Sequence, residues 1–163
     1  MFEKLKNALG LEKKNITVFA PIAGKAVAIS EVNDPTFAEE MLGKGVAIQP
    51  TGNTVVAPFN ATVMQMFDTR HAVTLVSDEG VELLIHIGLE TVGLKGEHFT
   101  ALVSNGDKVK IGEALILFDL EKIKAAGFDT IIPIVVCNSD AYKNFVTHIG
   151  KDVKPQEEII TLS

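Results

Sequence analysis

From Ile16 onward the chain sets short apolar runs between Gly, Pro, Asn and Asp residues at short intervals. Such spacing predicts short strands joined by tight turns, the pattern of an antiparallel sandwich or barrel. The strands read as Ile16–Phe19, Ala26–Ile29, Val46–Gln49, Thr54–Ala57, Ala61–Phe67, Ala72–Val76, Val81–Ile87 and Ala114–Phe118. Three helical turns interrupt them. Asp34 before Pro35 is an N-cap followed by proline at the first helical position, with Gly43 closing the turn. Asp119 caps Leu120–Ala126, which Gly127 ends, and Ser139 caps a turn through Phe145.

The first 15 residues read differently. Phe2, Leu5 and Leu9 recur at helical spacing among Lys4, Lys6, Lys13 and Lys14. This predicts a flexible tail over residues 1–15 ahead of a single domain over 16–163. The plain reading of the tail is a disordered leader. The sharper one is a marginal contact with an anionic membrane surface, because Lys stems beside an apolar stripe suit that interface.

The chain also repeats itself. Val18-Phe19-Ala20-Pro21-Ile22-Ala23-Gly24-Lys25-Ala26-Val27 aligns with Val55-Val56-Ala57-Pro58-Phe59-Asn60-Ala61-Thr62-Val63-Met64. Gly106-Asp107-Lys108-Val109-Lys110, then Glu113-Ala114-Leu115-Ile116, aligns with Gly150-Lys151-Asp152-Val153-Lys154, then Glu157-Glu158-Ile159-Ile160. Two copies do not make a solenoid. They make a duplicated half-motif, as in the barrel-sandwich hybrids of biotinyl- and lipoyl-type carriers.

Length and composition narrow the class. At 163 residues, 47% hydrophobic and 22% charged, the chain is one globular domain with a full core. Its net charge of −6 argues against a nucleic-acid surface, since phosphate contacts need a positive footprint. The single cysteine, Cys137, excludes an intramolecular disulfide and a cysteine-rich zinc site, and reads as a buried small hydrophobe. No apolar run approaches the ~20 residues that span a bilayer, and no secretory signal pattern is present. A cytoplasmic monomer is expected.

Chemistry rests with the histidines, His71, His86, His98 and His148. His71 and His86 flank a hairpin made of Ala72–Val76 and Val81–Ile87, with Ser77-Asp78-Glu79-Gly80 as its turn. A four-residue turn sets His71 directly opposite His86, with Cβ atoms roughly 5 Å apart. Ala72, Val76, Val81, Leu83, Ile85 and Ile87 then form a core stripe on the other face. A three-residue turn would separate the two imidazoles, because one step of register changes the face. His98, beside Phe99 in a Gly-rich loop, reads as a solvated loop residue, and His148, near the turn at Gly150, as structural. Two facing imidazoles can bind a metal, though two ligands leave a tetrahedral zinc site incomplete. One can instead be a nucleophile toward phosphorus while the other stabilises charge. Spacing alone does not choose between metal and phosphate.

The surrounding residues carry a resemblance. Phe67-Asp68-Thr69-Arg70-His71-Ala72, then Ser77-Asp78-x-Gly80-Val81-Glu82-Leu83-Leu84-Ile85-His86-Ile87-Gly88-Leu89-x-Thr91-Val92-x-Leu94-Lys95-Gly96-Glu97, resembles the glucose-type IIA component of the bacterial sugar phosphotransferase system. Ala20-Pro21-x-x-Gly24, Asp34-Pro35-x-Phe37-Ala38, Met41-x-Gly43-x-Gly45-Val46-Ala47-Ile48 and Pro50-Thr51-Gly52 extend it over nearly all of residues 17–162. The resemblance implies that His86 is phosphorylated through Nε2, accepting the group from phospho-HPr and passing it to a cysteine of a sugar-specific IIB domain. It implies that His71 is the second active-site histidine, oriented by Thr69, and that the carbonyl of Gly88 holds the other nitrogen of His86. It places Phe37, Phe67, Leu84 and Ile87 in an apolar docking rim, with Glu90 as its acidic group. Glu90 stands where many members have aspartate, and Leu84 and Ile87 where some have phenylalanine. No cofactor is required on this reading, and zinc enters only as an ion that His71 and His86 share with a partner's ligand.

Three other classes fit less well. A lysostaphin-type zinc peptidase shares the duplicated β architecture but needs further ligands close in sequence, and His86 is followed by Ile87 and Gly88. A swinging-arm carrier needs a lysine at the tip of a turn, and Ser77–Gly80 has none. A zinc-bridged interaction module is the remaining alternative.

Overall fold

The computed structural model describes residues 15–163. The tail expected over 1–15 therefore lies, save for Asn15, outside the described residues. In chain order the strands are Ile16–Phe19 (β1), Gly24–Ala28 (β2), Lys44–Pro50 (β3), Thr54–Val56 (β4), Ala61–Met66 (β5), Ala72–Ser77 (β6) and Glu82–His86 (β7). They continue as Phe99–Ala101 (β8), Lys108–Val109 (β9), Ala114–Phe118 (β10), Ile132–Val136 (β11), Phe145–Thr147 (β12), Lys151–Val153 (β13) and Glu158–Leu162 (β14). An eight-stranded antiparallel sheet, ordered β13-β2-β3-β11-β7-β6-β5-β9, is accompanied by two three-stranded sheets, β1-β14-β12 and β4-β10-β8. The result is an antiparallel β-sandwich.

Period-2 alternation in the central strands divides the apolar side chains between two faces. Val46, Ile48, Leu83, Ile85, Ile132, Ile134 and Val136 enter the main core. Ala47, Leu84 and Val135, the residues between them, enter a second cluster with Ile29, Val32, Phe37, Ala72, Leu89 and Ile131. The large sheet is thus covered on both sides, which explains why β11 is buried at every position. That strand contains Pro133, which has no N–H for a ladder. Its ladder with β7 begins only at Ile134 against Ile85, so the missing donor falls beside His86, where the pairing has ended.

The internal repeat is a repeat of hydrogen bonds. Phe19 N donates to Pro58 O while Val56 N donates to Pro21 O, so the two Ala-Pro corners bind each other reciprocally. Ala20 N donates to Glu157 O and Ala57 N to Glu113 O, and Gly150 N donates to Ala26 O as Gly106 N does to Val63 O. Strand registers repeat as well. Val18 faces Ile160 as Val55 faces Ile116, and Lys25 faces Asp152 as Thr62 faces Lys108. Each half therefore closes one edge of the large sheet in the same way, with β13 at one side and β9 at the other.

The short helices form where capping chemistry places them. Asp34 accepts from Thr36 N at 3.0 Å and starts α1, Pro35–Ala38, with Pro35 in the first turn. Asp119 accepts from Lys122 N at 3.0 Å and starts α2, Leu120–Ala125. The turn expected from Ser139 to Phe145 is shorter than its sequence suggests. It is a 3-10 turn over Ser139–Ala141, and Phe145 already opens β12. The Ser139 hydroxyl accepts from Lys44 N at 3.1 Å instead of capping, which removes it from the helix-start role.

Candidate functional site

The β6–β7 hairpin carries the site, in a different register from the one expected. Ala72 faces His86, Thr74 faces Leu84 and Val76 faces Glu82. Ser77 N donates to Val81 O and the Ser77 hydroxyl accepts from Val81 N, so the loop is Asp78-Glu79-Gly80, with Gly80 at a φ of 93°. This is the three-residue turn that strict alternation says should separate the histidines. It also moves Ala72 off the core stripe onto the face of Leu84 and His86, while Val73 and Leu75 join Leu83 and Ile85 in the main core.

The histidines still meet because His71 stands outside the strand. β6 begins at Ala72. Ahead of it the chain folds back on itself, with Arg70 N donating to Phe67 O and Phe67 N to Ala72 O. Arg70 takes a left-handed φ of 58°, and its guanidinium donates to Gly96 O at 3.2 Å. This turn frees His71 from the alternation of the strand it precedes. Its ring centroid lies 4.8 Å from that of His86, with the planes at 85°. Phe37 lies 5.2 Å from the His86 ring and Phe67 5.5 Å from the His71 ring.

Each imidazole has its Nδ1 engaged locally. His86 Nδ1 lies 2.7 Å from Gly88 O, and Thr69 Oγ1 lies 2.6 Å from His71 Nδ1. A carbonyl can only accept, so Nδ1 of His86 carries the proton and the neutral ring keeps its lone pair on Nε2. Burial, followed by the neighbouring His86, lowers the His71 pKa from 6.5 to about 4. Burial likewise lowers that of His86, opposed by the Gly88 carbonyl and the Asp34 carboxylate. Both rings are therefore uncharged near neutrality.

The structure brings His71, His86, Thr69, Gly88, Phe37 and Phe67 together, and corrects the rim around them. Ile87 is 1% exposed and belongs to the main core, because it follows His86 onto the opposite face of the sheet. It is no docking residue. Leu84 and Phe37, 7% and 5% exposed, lie beneath the surface in the second cluster, so neither is a docking residue, and Phe37 packs against the His86 ring instead. Phe67 is half-buried against that cluster, and Glu90 is exposed at a left-handed φ of 59°. Glu90, Asp34 and Asp129 line one cleft with Leu89 and Phe128. Cys137 is exposed, correcting its reading as a buried hydrophobe, since β11 ends at Val136. His148 is tied to Thr161 at 2.9 Å, and His98 lies 3.8 Å from Glu97.

Sequence reasoning missed three features. Met41 and Val92 are apolar yet 69% and 55% exposed, each four residues beyond a residue of the site, Phe37 and Gly88. Thr91 is fully buried, and its hydroxyl donates to Ile87 O. Apolar type alone could not flag the first two, because exposure is a tertiary property.

A sandwich that presents two uncharged imidazoles, one with a defined nucleophilic nitrogen, has the makings of a carrier for an electrophilic group. The family model for the phosphoenolpyruvate-dependent sugar phosphotransferase system, EIIA 1, matches residues 16–142. The glucose-specific EIIA component of Halalkalibacterium halodurans is 45% identical over 96% of this chain and 94% of that protein. The β-glucoside-specific EIIBCA component of Bacillus subtilis is 48% identical over 90% of this chain, which spans 24% of that longer protein. Among solved structures, the glucose permease IIA from Mycoplasma capricolum superposes with a TM-score of 0.85 at 33% identity, covering 93% of this chain and 97% of that one. The chain belongs to this EIIA family. It is a phosphocarrier of the sugar phosphotransferase system, and hence a phosphotransferase. Among the described residues no helix is long and apolar enough to cross a membrane.

Proposed function

We propose that Nε2 of His86 takes the phosphoryl group from phospho-HPr and yields it to a cysteine of the IIB domain of a glucose-family permease, in the cytoplasm. The observation that carries this reading is the His86 Nδ1–Gly88 O bond, which leaves the lone pair on Nε2. As Nε2 bonds to phosphorus, the bond from phosphorus to the donor breaks and the donor departs with the electron pair. Nδ1 keeps its proton throughout. In the second step the thiolate sulfur bonds to phosphorus and the Nε2–phosphorus bond breaks.

His71 does not bond to phosphorus in this scheme. With Thr69 donating to its Nδ1, a neutral His71 holds its proton on Nε2 and can donate to a phosphoryl oxygen as charge builds there. Phe67, with the exposed Met41 and Val92, gives HPr an apolar surface. The cycle uses no cofactor. Among the described residues no group of three His, Cys, Asp or Glu side chains could hold a metal ion, so zinc at the pair would need a ligand from a partner.

Incubation with phosphoenolpyruvate, enzyme I and HPr, followed by intact mass, tests the proposal. A gain of one phosphoryl group, labile in acid and stable in base, is expected. No gain with active enzyme I and HPr overturns it.

A further inference from the structure

The Gly88 carbonyl that sets the tautomer of His86 belongs to a residue with a φ of 77°, in a segment with no strand ladder to hold it. Glycine has no side chain to restrict such a segment, so its direction has to be imposed from outside. The two peptide groups that flank Gly88 have all four polar atoms engaged. In the first, Gly88 N donates to Ile131 O at 3.0 Å, and Ile87 O accepts from the Thr91 hydroxyl. In the second, Leu89 N donates to Asp129 O at 3.0 Å, and Gly88 O receives His86 Nδ1. Three of the four partners are backbone or the catalytic ring itself. Thr91 is the one external side chain. Its methyl group also fills the space beside Gly88, since a Cβ there would lie 2.6 Å from Thr91 Cγ2 and 2.8 Å from Asp129 O.

We infer that Thr91 is a positioning residue for phosphoryl transfer: its hydroxyl pins the Ile87–Gly88 peptide, aims the Gly88 carbonyl at Nδ1 of His86, and so keeps the lone pair on Nε2. This rests on the reading of His86 as the nucleophile. Without the pin the Ile87–Gly88 peptide keeps only its Gly88 N–Ile131 O bond and can tilt, which turns the Gly88 carbonyl that follows it off Nδ1 of His86. The neutral imidazole then divides between two tautomers, and only one of them presents the attacking atom toward phosphorus. The carbonyl also raises the basicity of His86 against burial, so its loss lowers the His86 pKa further.

The test uses Thr91→Val, which keeps the shape and removes the hydroxyl, and Thr91→Ser, which keeps the hydroxyl. Ring nitrogen NMR of the unphosphorylated protein reads the tautomer of His86 directly. The wild type and Thr91→Ser should hold the proton on Nδ1, whereas Thr91→Val should show a mixture and titrate at lower pH. Phosphorylation of Thr91→Val by phospho-HPr should slow roughly 10- to 100-fold, the range seen when the outer partner of a ligating histidine is removed. Its apparent affinity for HPr should stay as in the wild type. Should valine not be tolerated, Thr91→Ala removes the hydroxyl without new bulk and gives the same readout. A hydroxyl-free variant that keeps the wild-type tautomer and pH profile overturns the inference, even if it melts earlier. Because the tautomer is read without phosphate, that failure is distinct from a failure of His86 to accept the group.

Discussion

His71 and His86 meet edge to face at 4.8 Å, each with Nδ1 bonded to a group two residues away in sequence, Thr69 and Gly88. The two local bonds divide the labour between otherwise identical rings. The carbonyl partner of His86 dictates a lone pair on Nε2, while the hydroxyl partner of His71 permits a proton there. The proposed scheme uses the first ring to attack and the second to donate.

The first prediction separates these roles. His86→Gln removes the attacking atom and should abolish phosphorylation by phospho-HPr. His71→Gln removes the ring Nε2–H that faces the phosphoryl oxygens but leaves His86 intact, so it should still be labelled at His86, with transfer slowed about 10²–10³-fold by loss of that stabilising donor. Peptide mapping of labelled wild type decides the matter. Label on the His71 peptide, with His86→Gln fully phosphorylated, would reverse the assignment.

A second prediction concerns pH. His71 accepts a proton near 6.5 in the unfolded chain and only at about 4 in the folded one, mainly because it is buried. Between those values the unfolded chain binds a proton that the folded protein refuses. Stability is therefore full above pH 6.5 and declines as pH falls toward about 4, with His86 shifted in the same direction. Urea unfolding at pH 7 and at about pH 4.5 should show His71→Gln losing less stability over the interval than wild type. Equal losses would mean that His71 is not held neutral.

The rim supplies a third prediction. Met41→Asp and Phe67→Asp should weaken transfer from phospho-HPr with little change in melting, because these residues are exposed or half-buried. Ile87→Asp should unfold the domain, since it puts a charge in the main core. Thermal melting beside a transfer assay distinguishes them. An Ile87→Asp variant that folds and merely binds HPr poorly would restore Ile87 to the rim.

The fourth prediction concerns close backbone approach. A Cβ at Gly45 would lie 2.1 Å from Ile134 O, where β3 pairs with β11. At Gly106 it would meet nothing within 4 Å, although φ is 86°. Gly106→Ala should cost roughly 1 kcal/mol of backbone strain. Gly45→Ala should cost more, about 3 kcal/mol or above, because two strands must part. Chemical denaturation of both variants checks the order, and equal costs would refute it.

Much is legible in the residues themselves. Turn chemistry and period-2 runs locate eight strands to within two residues, and the Asp34-Pro35 and Asp119 caps locate both helices. These are local properties, written in side chains that act on their own backbone. The repeat is equally readable, because a duplicated half-motif repeats its hydrogen bonds along with its sequence. The residue types that suit phosphoryl chemistry, His71, His86, Thr69 and Gly88, are recognisable from the motifs around them.

Only the tertiary structure decides how they meet. The hairpin turn has three residues, and by alternation alone that register parts the histidines. They are reunited by the left-handed turn at Arg70, which a distant carbonyl on Gly96 helps to hold. The same limit explains Ile87 and Cys137. An apolar residue next to a functional one is core or rim according to which face its strand turns to the neighbouring sheet. A cysteine at the end of an apolar run is buried or exposed according to where the ladder stops. Both outcomes depend on contacts between segments far apart in the chain, and no window of sequence contains them.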